Sequence, residues 1–157
     1  MQVSSIQSGL DVPWEVRCDN GTIWYSLQKG EIWKMNIATG KTRKVLTVPN
    51  VFRLRTMGAL GMTVDHISDS IHVYLVYNQR IDTTKLDTSS LVTRLVRYSY
   101  DSRQDSLIQP KILLQWKANT SHNGSRIIVG NKGGLLVREC WKNIFAASNM
   151  NSGGAYF

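Results

Sequence analysis

The sequence predicts an all-β fold built from successive four-stranded antiparallel sheets, and two observations support this. Short runs of alternating or aromatic-rich residues are separated by Gly, Asn and Pro turn signals roughly every ten residues. No segment keeps a 3.6-residue hydrophobic period between helix caps, so we expect almost no helix. Consecutive four-stranded sheets are typical of a β-propeller, and a β-sandwich is the alternative.

The first predicted sheet occupies the N-terminal third of the chain. Turn signals follow its strands at Asn20, Gly21, Gly30, Gly40 and Pro49. Glycine and asparagine tolerate the backbone conformations of tight turns, and proline cannot donate a hydrogen bond to a sheet. The predicted strands are 14–17, 22–26, 31–36 and 42–47.

The same pattern repeats in a second unit and begins again in a third. Gly61 lies inside the first strand of the second unit, where a missing side chain lets a neighbouring backbone approach. About ten strands make roughly two and a half blades, whereas propellers close with about four to eight, so we expect a longer protein. The predicted strands are 59–64, 71–77, 93–100 and 111–116 in the second unit and 126–129 and 135–138 in the third.

Length and composition describe one globular domain with a basic surface. The chain has 157 residues, of which 42% are hydrophobic and 19% charged, enough for one domain with a core. The formal net charge is +8 at pH 7, but the basic residues are scattered along the chain. A nucleic-acid surface usually concentrates them, so we expect no nucleic-acid partner; a basic surface could also attract an anionic cofactor.

The chain shows no targeting, membrane or disulfide pattern. No apolar run approaches the ~20 residues of a membrane-spanning helix, so we expect no membrane span. Residues 1–14 have neither the basic nor the apolar region of a signal peptide. Cys18 and Cys140 are the only cysteines and lie far apart in sequence, so we expect a buried free thiol at each.

The most informative segment is His122-Asn123-Gly124-Ser125-Arg126, directly before an apolar strand. An Asn-Gly turn can project the neighbouring imidazole from a strand edge into a cleft. Histidine is the side chain best suited to accept a proton near neutral pH, so His122 is a candidate general base. A lone histidine at a turn is also commonly a surface or structural residue, and both interpretations stay open on these residues alone.

Four segments, in order, carry a resemblance to a known family. Residues 9–15 resemble a "GL-x-x-PW" strand, 56–62 a "GLLG" strand, 121–126 an "HNGGR" turn and 149–154 an "NSLGGK" segment. Together they resemble the N-terminal part of the soluble pyrroloquinoline quinone (PQQ)-dependent sugar dehydrogenases, the glucose/sorbosone dehydrogenase domain. Residues 1–157 would then be the N-terminal part of a single six-bladed propeller domain.

The resemblance also implies a chemistry. His122 would remove the proton from the anomeric hydroxyl of an aldose or related alcohol, and hydride would pass to PQQ over the central channel. A calcium ion commonly assists the quinone, but its ligands and most quinone-binding residues would lie in later blades, so we expect no metal ligand here. The partners would be a sugar and an electron acceptor, and the location periplasmic or secreted.

Departures from the family pattern affect the predicted site. The aspartate expected near the base is replaced by Trp141, and Glu139 could substitute only if the strand shifts by two residues. In glucose-oxidising members of the family, a glutamine before the "GLLG" strand contacts the sugar; Thr56 stands near that position here and is the candidate substrate contact. Asn123 and Gly124 are expected to shape the turn, and Arg126 to tie loops together. Without the aspartate, a non-catalytic propeller used for binding is the alternative function.

Other conspicuous side chains have structural explanations. We expect His66 to be structural and the tryptophans to pack between blades rather than to stack on sugar. The aromatic face of a tryptophan can also bind a sugar ring, so this alternative stays open. The tryptophans concerned are Trp14, Trp24 and Trp33.

Overall fold

The computed structural model describes residues 2–84, 88–119, 123–130, 134–139 and 144–147, with residues 139 and 144–147 described through their backbone. The all-β prediction is confirmed, since the only helix in these ranges is a 3₁₀ turn at Thr88–Ser90. None of the described helices is therefore long enough to cross a membrane. The strands are β1 (Pro13–Asp19), β2 (Thr22–Leu27), β3 (Glu31–Asn36), β4 (Thr42–Thr47), β5 (Ala59–Ile67), β6 (Ser70–Arg80), β7 (Leu91–Asp101), β8 (Ser106–Lys117), β9 (Ser125–Val129), β10 (Leu135–Glu139) and β11 (Ile144–Ala147).

The strands form three consecutive antiparallel sheets, which confirms the predicted propeller-type organisation. The first sheet has the order β1-β2-β3-β4 and the second β5-β6-β7-β8. The third contains β9, β10 and β11 in the described part of the chain. Each of the ten predicted strands matches an observed one, and β11 is an addition because its four residues are too few to show an alternating pattern.

β8 begins well before its predicted start because Pro110 does not break it. The register with β7 shifts between Arg97 and Ser99, so the strand bulges where the proline stands. Gln109, next to it, has φ of +52°. Proline is tolerated at a bulge, where no ladder hydrogen bond is required from it.

The first strands of the three sheets, β1, β5 and β9, each lie at one edge of their sheet, and β5 contacts both β1 and β9; we call them the inner strands. Arg17 Nε donates to Met62 O at 3.1 Å, and His66 Nε2 lies 2.9 Å from Asp19 Oδ1, so β1 and β5 run in the same direction. His66 thus has the structural role predicted for it. We call the end at which these strands begin the loop end.

An apolar core fills the space between the first and second sheets. Trp24 is 2% exposed and packs edge to face against Tyr100 of β7, with ring centroids 5.3 Å apart. This confirms inter-blade packing for Trp24. Trp33 instead stacks on Tyr25 within the first sheet, at 6.4 Å. Full burial of each large apolar side chain contributes about 1.5–3 kcal/mol, so this core holds the two sheets together.

A second core lies between the second and third sheets. Leu60, Tyr74 and Leu95 of the second sheet pack there with Ile127 and other residues of the third. Trp14 of β1 packs against the edge of the same core, so the first sheet also reaches it.

The prediction for Cys18 is wrong, because its side chain is exposed. Cys18 shares a face of β1 with Val16, which is 56% exposed, and the alternation of the strand turns both outward. Cys140 lies outside the described residues.

Candidate functional site

The predicted site residues lie in the connections that reach the loop end. Residues 48–58 lead into β5 and contain Thr56, and residues 118–124 lead into β9 and contain Asn123 and Gly124. His122 and Trp141 lie outside the described residues, as does the segment 149–154. The start of β9 lies at the loop end, the same end as Thr56, because Gly61 N–H near the start of β5 donates to Ser125 Oγ.

Thr56 is exposed in a tight turn formed by residues 54–57. Met57 N–H donates to Leu54 O at 2.9 Å, which closes the turn. Arg55 has φ of +52°, in the left-handed region. Such a conformation costs a non-glycine residue roughly 1–2 kcal/mol, so the turn is strained where it presents Thr56.

Gln28, in the hairpin between β2 and β3, holds this turn from outside. Its side chain is buried, and Nε2 donates to Arg55 O at 2.5 Å and to Met57 O at 3.0 Å. Its Oε1 accepts from Arg53 Nε at 3.1 Å. Both amide hydrogens and the amide oxygen are therefore used, which satisfies a buried polar group.

A bidentate ion pair extends this arrangement to the connection before β1. Arg53 donates from Nη1 and Nη2 to Asp11 Oδ2 and Oδ1, at 2.8 and 2.9 Å. The hydrogen bond from Arg53, joined by the charge of Lys29, holds the pKa of the Asp11 carboxyl below its ordinary value. The connections before β1 and β5 are thus joined by charge as well as by Gln28.

Gly58 is required where the chain enters β5. Its φ is +146°, and a Cβ there would lie 2.4 Å from Gln28 O. Asn78 fixes the same residue, because its Oδ1 accepts from Gly58 N–H at 3.1 Å and its N–H donates to Gly58 O at 2.9 Å. The Asn78 side chain is fully buried and also donates to Thr93 Oγ1 at 2.9 Å.

Asn123 closes the connection into β9 on itself. The side chain is 0% exposed, its Oδ1 accepts from Asn119 N–H at 3.1 Å, and its Nδ2 donates to Asn119 O at 2.7 Å. These two bonds clamp the ends of the segment in which His122 lies. Gly124 follows directly and leads into β9.

Arg126 joins β9 to β1, and Ser125 joins β9 to β5. Arg126 Nη1 donates to the Glu15 carboxylate of β1, at 3.1 and 3.3 Å, and Glu15 also pairs with Arg17 at 3.3 Å. Gly61 N–H of β5 donates to Ser125 Oγ at 2.9 Å. A Cβ at Gly61 would lie 2.7 Å from Ser125 O, so the close approach requires glycine.

Sequence reasoning missed Gln28, Asn78 and the pairing of Arg53 with Asp11. Gln28 reads as part of an ordinary Gln-Lys-Gly turn, and Asn78 continues an alternating strand. The tertiary partners that make these amides important are distant in sequence, so no local pattern announces them. Asp11 does belong to the segment 9–15 that carries part of the resemblance.

The described residues of the loop end offer hydrogen-bonding groups and a cation. In the ranges that the structure describes, no three His, Cys, Asp or Glu side chains converge to hold a metal ion. Thr56 and Arg55 are exposed there and supply a hydroxyl and a guanidinium. These suit a ligand with hydroxyl and anionic groups.

Two solved structures resemble the chain. One is the PQQ-bound form of an aldose sugar dehydrogenase from Streptomyces coelicolor, with TM-score 0.70 and 24% identity over 89% of this chain and 42% of that one. The other is a glucose dehydrogenase, with TM-score 0.77 and 17% identity over 98% of this chain and 52% of that one. These likenesses establish the fold, and the chain spans about half the length of both structures. No curated protein has significant sequence similarity to it.

The sequence itself carries the family signal. The model of the glucose/sorbosone dehydrogenase family matches residues 10–140, which contain the strands from β1 to β10 and the connections that meet at the loop end. The match therefore covers most of the chain and the whole of the geometry described above. The chain belongs to the glucose/sorbosone dehydrogenase family.

Proposed function

We propose that the chain forms part of a PQQ-dependent oxidoreductase that oxidises an aldose sugar or a related alcohol. The observation that carries the proposal is that the connections into β5 and β9 meet at the end where the first strands of the sheets begin, in a member of this family. One connection carries Thr56 and the other His122. Propeller enzymes build their sites from loops at one end of the inner strands, and Thr56 and Asn123 belong to such loops.

His122 is the general base of the proposed reaction. A neutral imidazole accepts the proton of the anomeric hydroxyl as the carbon–hydrogen bond breaks, and a pKa near neutral suits it to this step. The clamp between Asn123 and Asn119 supports the assignment, because it fixes the backbone on both sides of the base. Bound PQQ would supply the acceptor for the hydride.

Thr56 is the proposed sugar contact. Its hydroxyl can donate one hydrogen bond and accept others, which matches a sugar hydroxyl. The neighbouring Arg55 guanidinium fits one carboxylate of the quinone, since it is a fixed cation exposed beside Thr56. The calcium ligands and the other quinone contacts would belong to segments outside the described residues.

We further propose that residues 1–157 form the N-terminal blades of a single propeller domain in a periplasmic or secreted protein. The chain spans about half the length of the two similar structures, and the family resemblance supports such a location. The 157-residue chain with added quinone and calcium should give no aldose-dependent dye reduction above the cofactor-only background. Dye reduction above that background would contradict the proposal.

The decisive experiment uses the intact protein reconstituted with PQQ and calcium. We expect aldose-dependent dye reduction, and His122→Ala should lower turnover at least ~100-fold because the proton acceptor is lost. His66→Ala is the matched control, since that histidine pairs with Asp19 and should leave turnover near normal. Near-normal turnover in His122→Ala would refute the role of the base.

A propeller that binds a ligand without oxidising it is the second candidate. Trp141 favours it, because the carboxylate that would stabilise the charged imidazole is missing from its expected position. Binding of an aldose by the intact protein without dye reduction would support this candidate against the enzyme.

A further inference from the structure

The hydrogen bonding within the turn at residues 54–57 does not by itself explain the backbone conformation of Arg55. Arg55 is held at φ of +52°, and a non-glycine residue keeps such a conformation only where the surroundings enforce it. Its internal support is the pairing of Leu54 with Met57, in which Met57 N–H donates to Leu54 O. Strained backbone of this kind tends to occur where geometry matters for function.

The enforcing group is the Gln28 carboxamide. Its two N–H bonds go to Arg55 O and Met57 O, the carbonyls on either side of Thr56, at 2.5 and 3.0 Å. The side chain is 4% exposed, so water cannot easily replace these bonds if they break. A buried amide with every hydrogen bond made is fixed in place, because any rotation leaves polar groups unpaired.

The backbone of Gln28 also sets the starts of two inner strands. Gln28 N–H donates to Val12 O at 3.0 Å, just before β1, and Gln28 O accepts from Ala59 N–H at 2.8 Å, at the start of β5. One residue of the first sheet therefore determines where the turn at 54–57 stands relative to the loop end. Arg53 is the residue just before that turn, and Gln28 and Asp11 hold its side chain.

We propose that Gln28 is a positioning residue that enforces the strained turn and so fixes the direction in which Thr56 is presented to substrate. The substrate part of this proposal rests on the proposed function; the enforcement of the turn does not. Gln28 contacts neither sugar nor quinone in this scheme. Its effect on the reaction passes through the turn, so its removal should weaken substrate binding more than it slows the chemical step.

The first test measures hydrogen exchange of the Met57 amide by NMR in the intact protein. Gln28→Met keeps the length and burial of the side chain but removes both donors. The Met57 N–H should then exchange at least ~10-fold faster, because the turn opens when the Arg55 and Met57 carbonyls lose the amide that donates to them. Exchange within twofold of the parent protein would overturn the proposal.

Two further variants separate this role from general loss of stability. Gln79 is a buried glutamine whose Nε2 donates to Pro49 O at 3.1 Å, at the beginning of the same connection, so Gln79→Met removes the same type of bond away from the turn. It should leave Met57 exchange within about twofold. The double variant Gln28→Met with Arg55→Gly should recover slow exchange, because glycine accepts the positive φ without support. Equal acceleration in Gln79→Met, or no recovery with Arg55→Gly, would contradict the assignment.

The second test uses steady-state kinetics of the intact, PQQ-loaded protein with an aldose. Gln28→Met should raise KM by about 10-fold and leave kcat within about twofold, whereas Gln79→Met should change neither. A fall in kcat with unchanged KM would show that Gln28 does not act through substrate positioning. If the parent protein oxidises no aldose, the proposed function fails, and the exchange experiment alone decides whether Gln28 enforces the turn.

Discussion

The connections into β5 and β9 reach the same end of the molecule, but they are held in opposite ways. The connection into β5 depends on other elements, since Gln28, Asp11 and Asn78 from outside it fix its turn and its last glycine. The connection into β9 is clamped by its own residue Asn123, which bonds back to Asn119. A site built from both connections therefore combines one that is held by its own hydrogen bonds with one whose shape depends on contacts with other strands.

The difference separates the proposed sugar contact from the proposed base, since each lies in a different connection. In the proposed reaction the β9 connection carries the base and the β5 connection a sugar contact. The Asn123 clamp holds Asn119 and Asn123 together with bonds that do not involve the first sheet. A turn held by a neighbouring sheet can be altered by changes far from it.

The largest effect is expected where the β5 connection approaches the first sheet. Gly58→Ala places a Cβ 2.4 Å from Gln28 O at a φ of +146°. Backbone strain and overpacking each cost about 1–3 kcal/mol, so we expect the free energy of unfolding to fall by about 3 kcal/mol or more. Denaturant unfolding measures this.

The control is Gly40→Ala, which shares a positive φ of +67° but meets nothing within 4 Å. Strain alone should then lower the free energy of unfolding by about 1 kcal/mol. If the two variants lose equal stability, the close approach of Gly58 to Gln28 does not constrain the connection.

Asn123→Ala should have the next largest effect. It removes both bonds that close the β9 connection and leaves space where a buried side chain stood, for a loss of about 2 kcal/mol in the free energy of unfolding. Asn36→Ala is the matched control, because Asn36 accepts a similar bond from Thr39 N–H at 2.9 Å on the exposed surface. Its loss should be about 0.5 kcal/mol, and an equal loss in thermal or denaturant unfolding would show that burial of the Asn123 clamp is unimportant.

The bond that joins β5 to β9 should contribute less than either clamp. Ser125→Ala leaves Gly61 N–H without the hydroxyl that accepts its hydrogen bond at 2.9 Å. One such bond is worth about 1 kcal/mol, and that is the expected fall in the free energy of unfolding. Ser70→Ala, at an exposed strand end, should cause no measurable change. A Ser125→Ala variant as stable as its parent would argue against this bond as a link between the sheets.

The sequence predicted the architecture well because turn residues and strand alternation are local signals. Asn20-Gly21, Gly30 and Gly40 lie in the turns that separate the first four strands. The glycines of the 56–62 segment also have visible reasons, since Gly58 and Gly61 both stand where a Cβ would meet another backbone.

The support of the site was not predictable in the same way. Gln28 acts through carbonyls 27 and 29 residues away along the chain, and only the packing of the first sheet on the second brings them together. Burial of an amide is likewise decided by the tertiary fold, so a sequence pattern gives no sign of it. The predicted start of β8 at residue 111 was too late for a related reason, because the bulge that accommodates Pro110 depends on the partner strand.

The smallest effect concerns the ion pair that joins the connections before β1 and β5. The hydrogen bond from Arg53 lowers the pKa of Asp11 below its ordinary value of 3.8. The folded state thus favours the carboxylate, so this contribution is present above about pH 4 and is lost as the pH falls through the lowered pKa. Arg53→Gln should return the pKa of Asp11 towards 3.8, as followed by NMR titration of its carboxyl group.

Asp105 is the internal control, since its pKa is also lowered, against the effect of burial, by Lys34 and Tyr100, and it should not respond to Arg53→Gln. An unchanged Asp11 titration in that variant would mean that the pair does not hold the connection together in solution, and Gln28 would remain as the link between the first sheet and the Thr56 turn.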